Sequence, residues 1–181
     1  RPGEITLATY GVLFLDELPE FSKGTLEILR QPLEEKVIHI SRAKGDYCFP
    51  ADFLLVAAMN PCKCGYFPNF NKCHCDKISV KNYIGKVSQP LLDRIDLCVQ
   101  TAEVRFSDMV KNDANESSAD IRQRVEAVHE IQNRRFTDEP YHYNSQIPPA
   151  DLMKYCGFDE EGMAFLEQNF ETANLTARTY H

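Results

Sequence analysis

The chain has 181 residues, 43% of them hydrophobic, and a formal net charge of −7. That length gives one ordinary domain or two small ones with a real core, and no apolar stretch reaches membrane-spanning length. The acidic balance excludes a surface that coats nucleic acid throughout, and without a secretion-type N-terminus the expected compartment is the cytoplasm. Arg1-Pro2-Gly3 in place of an initiating methionine is expected of a piece cut from a longer protein.

From the N-terminus, the first strong element is the apolar run Val12–Leu15, which ends abruptly at Asp16 and Glu17. Such a run predicts a central parallel strand covered on both faces, and ligands of parallel sheets gather at the strands' carboxyl ends. Taken alone, the acidic end is either a Walker B motif or the cap of a following helix. In the first case Asp16 holds a nucleotide Mg²⁺, directly or through water, and Glu17 orients and deprotonates the attacking water. Ser22 then caps a helix with Leu26, Leu29 and Leu33 at helical spacing, kinked or shortened by Pro32. A hairpin follows, Val37–Ser41 and Tyr47–Phe49, with Gly45 in its turn. Phe53–Met59 predicts a second buried strand, ending at Asn60-Pro61. A cysteine-rich loop of about twenty residues comes next, long enough to need a staple or a function. Ser88 opens a short helix with Leu91 and Leu92 buried, ahead of a strand over Leu97–Thr101. The polar stretch 107–118 reads as a linker. Beyond it no strand is predicted. Ser117 and Asp120 form a capping box for a helix with Ile121, Val125 and Val128 on one face; Pro148-Pro149 begins a helical segment, Asp159 caps another, and Leu175–His181 opens a further, incomplete one.

Seven cysteines in a reducing compartment do not make a disulfide framework. Cys62-Lys-Cys64 and Cys73-His-Cys75 stand eight residues apart, two thiolate pairs able to give a structural Zn²⁺ four tetrahedral sulfur ligands, with His74 able to replace one. Reduced thiols in a mobile loop are the other reading. A closed four-sulfur site leaves no position for substrate, so such a metal would confer stability rather than catalysis. Cys48, Cys98 and Cys156 sit in apolar contexts and are expected in the core. Residues 62–86 carry five lysines (Lys63, Lys72, Lys77, Lys81, Lys86) against one acid, Asp76, whereas 151–171 carries six acids against Lys154. Any polyanion contact therefore belongs to the first segment. Tyr66, Phe67, Phe70 and Tyr83 lie among those lysines and either stack on bases or pack as a miniature core over the loop.

Three further residues are singled out, the first two with two readings each. Asn60 is a neutral sensor of a γ-phosphate and its attacking water, or a turn residue. Arg94 stabilises charge on a phosphoryl group, or forms a surface ion pair with Asp93 or Asp96. Arg178 opens the last helix and alone means little. Together with GVLFLDELPEF, LRQPLE, ISRAKG, AAMNPCKCGY, PLLDRIDL and LTART in that order, these residues make the chain resemble the AAA+ ATPases of the magnesium-chelatase-like group, in its ComM/YifB branch, over essentially all 181 residues.

By that resemblance the fold is α/β, a partial AAA+ P-loop NTPase core with a parallel sheet, followed by a small all-helical C-terminal lid domain. Residues 1–106 would be the C-terminal part of the core, 107–118 the linker and 119–181 the lid, truncated at sensor 2. Asp16 and Glu17 become Walker B, Asn60 sensor 1, Arg94 an arginine finger acting on a neighbouring subunit's nucleotide, and Arg178 sensor 2. The hairpin bearing Arg42 and Lys44 would face the pore of a hexameric ring. ATP and Mg²⁺ are the implied cofactors, with Zn²⁺ structural. The implied function is an ATPase motor acting on DNA, in branch migration during recombination or natural transformation. The alternatives are a chelatase-type ATPase that remodels a protein partner and a non-catalytic, zinc-stapled binding module. One motif is missing. The Gly85-Lys86 pair is followed by Val87 and preceded five residues earlier by Val80, so G-x-x-x-x-G-K-[ST] does not occur. This chain alone is therefore expected to bind ATP weakly or not at all.

Overall fold

The computed structural model describes residues 3–101 and 116–170. The chain divides into two compact units, 1–99 and 100–181.

In the first unit, α1 (Glu4–Leu7) leads into β1 (Val12–Leu15). A parallel neighbour requires a long crossover. Here it runs through a 3-10 turn at Leu18–Glu20, then α2 (Lys23–Ile28) and α3 (Arg30–Glu35). The antiparallel hairpin of β2 (Val37–Arg42) and β3 (Gly45–Pro50) completes it before β4 (Leu54–Ala57). β1 and β4 pair in parallel, Val12 opposite Leu54 through Leu15 opposite Ala57. After the cysteine-rich loop come α4 (Lys77–Ile84) and α5 (Gln89–Leu92).

The helix predicted after Ser22 forms in two pieces. The Ser22 hydroxyl accepts the Thr25 N–H at 3.1 Å, closing the start of α2. The chain then breaks at Leu29, which ends α2 and begins α3. That break puts Pro32 in the first turn of α3, where a missing N–H costs no helical bond. In the hairpin, Arg42 pairs with Gly45 across a two-residue turn, and Gly45 takes a φ of 139°, a conformation that L side chains rarely adopt.

Period-2 alternation sends Leu13 and Leu15 of β1 onto a core of Leu18, Leu26, Leu29, Val87 and Leu91. Leu91 is fully buried. A second cluster forms around Cys62, Cys73 and Val80, with Cys64, Phe67 and Cys75 against it. The other face of the sheet differs from the expectation of strands covered on both sides: Val12 is 57%, Phe14 58% and Leu54 62% exposed. By the register, Val12 sits beside Leu54 and Phe14 beside Val56, so these residues make one apolar patch. An apolar run reports that a strand suits a two-sided environment; it does not supply the second layer, and none lies there among the described residues of this unit.

Two further expectations are corrected. Leu97–Thr101 is not a strand, and Leu97 and Val99 are 84% and 85% exposed. Strand-forming residues still need a partner for their N–H and C=O groups, and this segment pairs with neither two-stranded sheet. Cys48, Cys98 and Cys156 are exposed rather than core residues. For Cys48 the cause is alternation along β3, where Phe49 is the half-buried neighbour. Cys98 lies on the unpaired stretch just described.

In the second unit, α6 (Ser118–Arg135) begins with the predicted capping box: the Ser117 hydroxyl accepts the Asp120 N–H and the Asp120 carboxylate accepts the Ser117 N–H, both at 3.2 Å. Ile121, Val125 and Val128 lie along it, each at least 43% exposed. The helix ends at Phe136, which is 1% exposed, with the rings of Tyr141 and Tyr155 each 5.1 Å away edge-on. Tyr155 lies on α7 (Leu152–Cys156), and α8 (Glu160–Phe170) follows, its Gly162 N–H donating to Asp159 at 2.8 Å. The predicted linker lies mostly, and Arg178 with Leu175–His181 entirely, outside the described residues. Among the described residues no helix is long and apolar enough to cross a membrane.

Candidate functional site

Asp16 and Glu17 follow β1 directly, and the parallel ladder continues past them: the Ala58 N–H donates to Leu15 and the Leu18 N–H donates to the Ala58 carbonyl, both at 2.9 Å. The acidic pair is thereby fixed beside Ala58, just past β4 and two residues short of Asn60. All three residues are solvent-exposed. Parallel pairing puts both strand ends on one edge of the sheet, where ligands of such sheets bind. Glu17 takes φ 51° and ψ 48°, a left-handed conformation unusual outside glycine and Asn or Asp. Its N–H donates to the Asp16 carboxylate at 2.9 Å. The tight turn lets the chain enter the 3-10 segment at Leu18 while two adjacent carboxylates remain accessible.

Arg94 follows α5, and its guanidinium is engaged within the same unit. It donates through Nε at 3.2 Å and through Nη2 to one carboxylate oxygen of Glu34, and through Nη1 to the Pro90 carbonyl. Its side chain is only 11% exposed. Neither acid singled out in the sequence is the partner: the Asp93 carboxylate accepts from Gln89 at 2.8 Å. Sequence reasoning missed Glu34, which is 60 positions away from Arg94 and on a different helix. Arg42 and Lys44 lie exposed at the hairpin tip.

The four cysteines of the long loop converge. Their sulfur atoms all lie within 4.8 Å of one another, with Cys62 to Cys64 at 3.3 Å, Cys64 to Cys73 at 3.6 Å and Cys62 to Cys73 at 3.8 Å. Metal–sulfur bonds of about 2.3 Å at tetrahedral angles separate the sulfurs by about 3.8 Å, so this cluster fits a metal ion. His74 is exposed and outside the cluster. The Tyr66 N–H, and after it the Cys62 thiol, hold Cys64 down at about 6, toward the thiolate form that ligates a metal. The loop's aromatic residues divide. Phe67 packs on the cluster and Tyr83 is 3% exposed, whereas Tyr66 and Phe70 are 49% and 75% exposed. Burial pushes the Tyr83 phenol up, followed by the charges of Glu20, Glu17 and Cys62.

The α/β unit with its parallel pair and the helical C-terminal region agree with the AAA+-like fold of the family that the chain matches. The chain belongs to the magnesium chelatase family: the magnesium chelatase subunit ChlI family matches residues 1–109, and the ChlI C-terminal family matches residues 115–181. Competence protein ComM of Haemophilus influenzae is 39% identical over 182 residues, which cover 100% of this chain and 35% of that protein. YifB of Escherichia coli is 38% identical and YifB of Salmonella typhimurium 37%, each over 181 residues covering 99% of this chain and 35% of the relative. The chain thus spans about a third of the length of these relatives.

Proposed function

We propose that this chain supplies the hydrolytic part of a ring-forming ATPase motor that acts on DNA. The observation that carries the reading is that Asp16, Glu17 and Asn60 all follow the neighbouring carboxyl ends of two parallel strands. In it, Asp16 holds the Mg²⁺ of ATP, Glu17 takes the proton of the attacking water, and Asn60 positions that water against the γ-phosphate. Arg94 serves the nucleotide of a neighbouring subunit after exchanging Glu34 for phosphate oxygens, and Arg178 serves as sensor 2. The hairpin tip with Arg42 and Lys44 faces the central pore. The domain division at a linker over 107–118 belongs to the same reading, with a helical lid behind it. The cysteine cluster holds one structural Zn²⁺, supported by its sulfur spacing. Similarity to a protein named for competence supports a role in natural transformation, with branch migration as the activity.

The chelatase family itself favours a second reading, in which hydrolysis remodels a protein partner. One experiment separates them: ATPase activity, with and without branched DNA, of a protein carrying this chain together with the rest of its relatives' length. Stimulation by DNA that falls steeply with salt is expected. Stimulation by a protein alone would favour remodelling, and no hydrolysis under either condition would leave a non-catalytic binding module. In that extended protein Glu17→Gln should lower turnover at least about a hundredfold while nucleotide affinity is kept, because a base is lost and the metal ligand is not. Loss of nucleotide binding in that variant would sink the assigned role.

A further inference from the structure

The strongest unassigned surface lies around the cysteine cluster. A cleft of about 170 Å³ is lined by Lys63 from the loop and by Ser79, Asn82, Tyr83 and Lys86 on and after α4. That volume is well below the roughly 300 Å³ of a small-molecule pocket and suits a single phosphate group. Two ammonium groups line it. The acids nearby are accounted for: Asp76 accepts the Ser79 N–H at 2.8 Å as the cap of α4, and Glu20 lies 3.6 Å from Lys86 in an exposed pair that salt or a phosphate can replace. On the same loop Tyr66 and Phe70 present their rings to solvent, and the Lys72 ammonium lies 5.8 Å from the centre of the Tyr66 ring. Phe67, 5.9 Å from Phe70 and edge-on to it, fixes that outer ring from below. The loop is held at its base by four converging sulfurs, so these rings stand on an ordered platform.

We infer that the segment 62–86 binds single-stranded nucleic acid, with phosphates in the cleft between Lys63 and Lys86 and unpaired bases stacked on Tyr66 and Phe70. Aromatic rings on a basic surface find free π-faces on an unpaired strand, whereas a duplex hides its base faces in its own stack. Charge complementarity is local: residues 62–86 have five lysines and one acid in a chain whose net charge is −7. The inference deepens the reading of a motor on DNA by naming a contact surface, and its test contains no ATP.

Fluorescence anisotropy of a labelled oligothymidylate, titrated with the 181-residue chain over a range of salt, reads the site directly. Tyr66→Ala and Phe70→Ala should each weaken binding by about tenfold with the salt slope unchanged. Lys63→Gln combined with Lys86→Gln should flatten the slope of log K against log salt by about 1.4, or about 0.7 for each phosphate no longer neutralised. Unchanged melting of each variant shows that the fold is intact. No binding by the unaltered chain at low salt would overturn the site, as would wild-type affinity in the ring variants or equal affinity for the matching duplex. Strand binding by this chain, beside an extended protein whose ATPase ignores DNA, would sink the motor reading and leave the site standing.

Discussion

Arg94 shows how much one partner alters the meaning of a residue. In sequence it is flanked by Asp93 and Asp96, and an exposed ion pair with either would be worth little. The fold instead buries all but 11% of its side chain and gives it to Glu34, with the Pro90 carbonyl as a third acceptor. A largely buried guanidinium that loses its carboxylate is left short of a partner in low dielectric. Glu34→Ala should therefore destabilise this chain by about 2 kcal/mol, and Glu34→Gln, which keeps a neutral acceptor, by about 1 kcal/mol. Urea denaturation followed by circular dichroism measures both, and midpoints equal to that of the unaltered chain would show that the pair contributes nothing. The same ion pair constrains the proposed trans role. Any phosphate that recruits Arg94 must outcompete a carboxylate already bound through two nitrogens. Asp16 and Glu17 present the opposite case: the apolar strand that ends in them was legible from the residues next to them in the chain, and the structure leaves both carboxylates in solvent.

Among the elements, the cysteine loop depends most on something other than its own propensity. Between β4 and α4 the chain makes short turns, such as the Asn69 N–H donating to Tyr66 at 2.7 Å and the Cys73 N–H donating to Asn69 at 2.8 Å. Its small core consists of Cys62, Cys73 and Val80 with Cys64, Phe67 and Cys75. Four of those six residues are cysteine, so a bound metal would replace the hydrophobic burial that the loop lacks. Stripping metal from the purified chain with a chelator should lower Tm and increase proteolysis between Asn60 and Asp76, and added Zn²⁺ should reverse both. A metal-free chain with unchanged melting and cleavage would refute the structural role. The spacing of the cysteines made this element readable, as Ser22 and Ser117 did the helices that they cap, because each acts within three or four residues of chain; the helix that Asp76 caps was not read from the sequence. The Leu97–Thr101 stretch was misread for the converse reason. Its pattern is local, whereas a strand exists only through hydrogen bonds to a distant segment.

For the whole molecule, the sheet and the missing glycine-rich motif bear on the same question. A two-stranded sheet with an apolar patch of Val12, Phe14, Leu54 and Val56 on one side is a small fraction of an ordinary α/β layer. Phosphate binding in such folds draws on a loop of backbone amides and a lysine, and no G-x-x-x-x-G-K-[ST] occurs in the chain. The acidic tip can contribute a metal ligand and a base yet has little with which to hold a triphosphate. Calorimetric titration of the 181-residue chain with Mg-ATP should accordingly show no micromolar affinity. Micromolar binding would mean that a cradle exists elsewhere in the molecule.

Family, motif order, the caps at Ser22 and Ser117 and the pairing of the cysteines were all determined by the sequence alone, since each is written in residues close together along the chain. Tertiary structure alone decided that Asp16, Glu17 and Asn60 follow strand ends on one edge of the sheet, that Glu34 rather than Asp93 or Asp96 holds Arg94, and that Phe67 and Tyr83 turn inward while Tyr66 and Phe70 turn outward. The physical reason is common to all three. Pairing, burial and ion partnership are relations between distant segments, and their free energy arises only once packing brings those segments within a few ångströms.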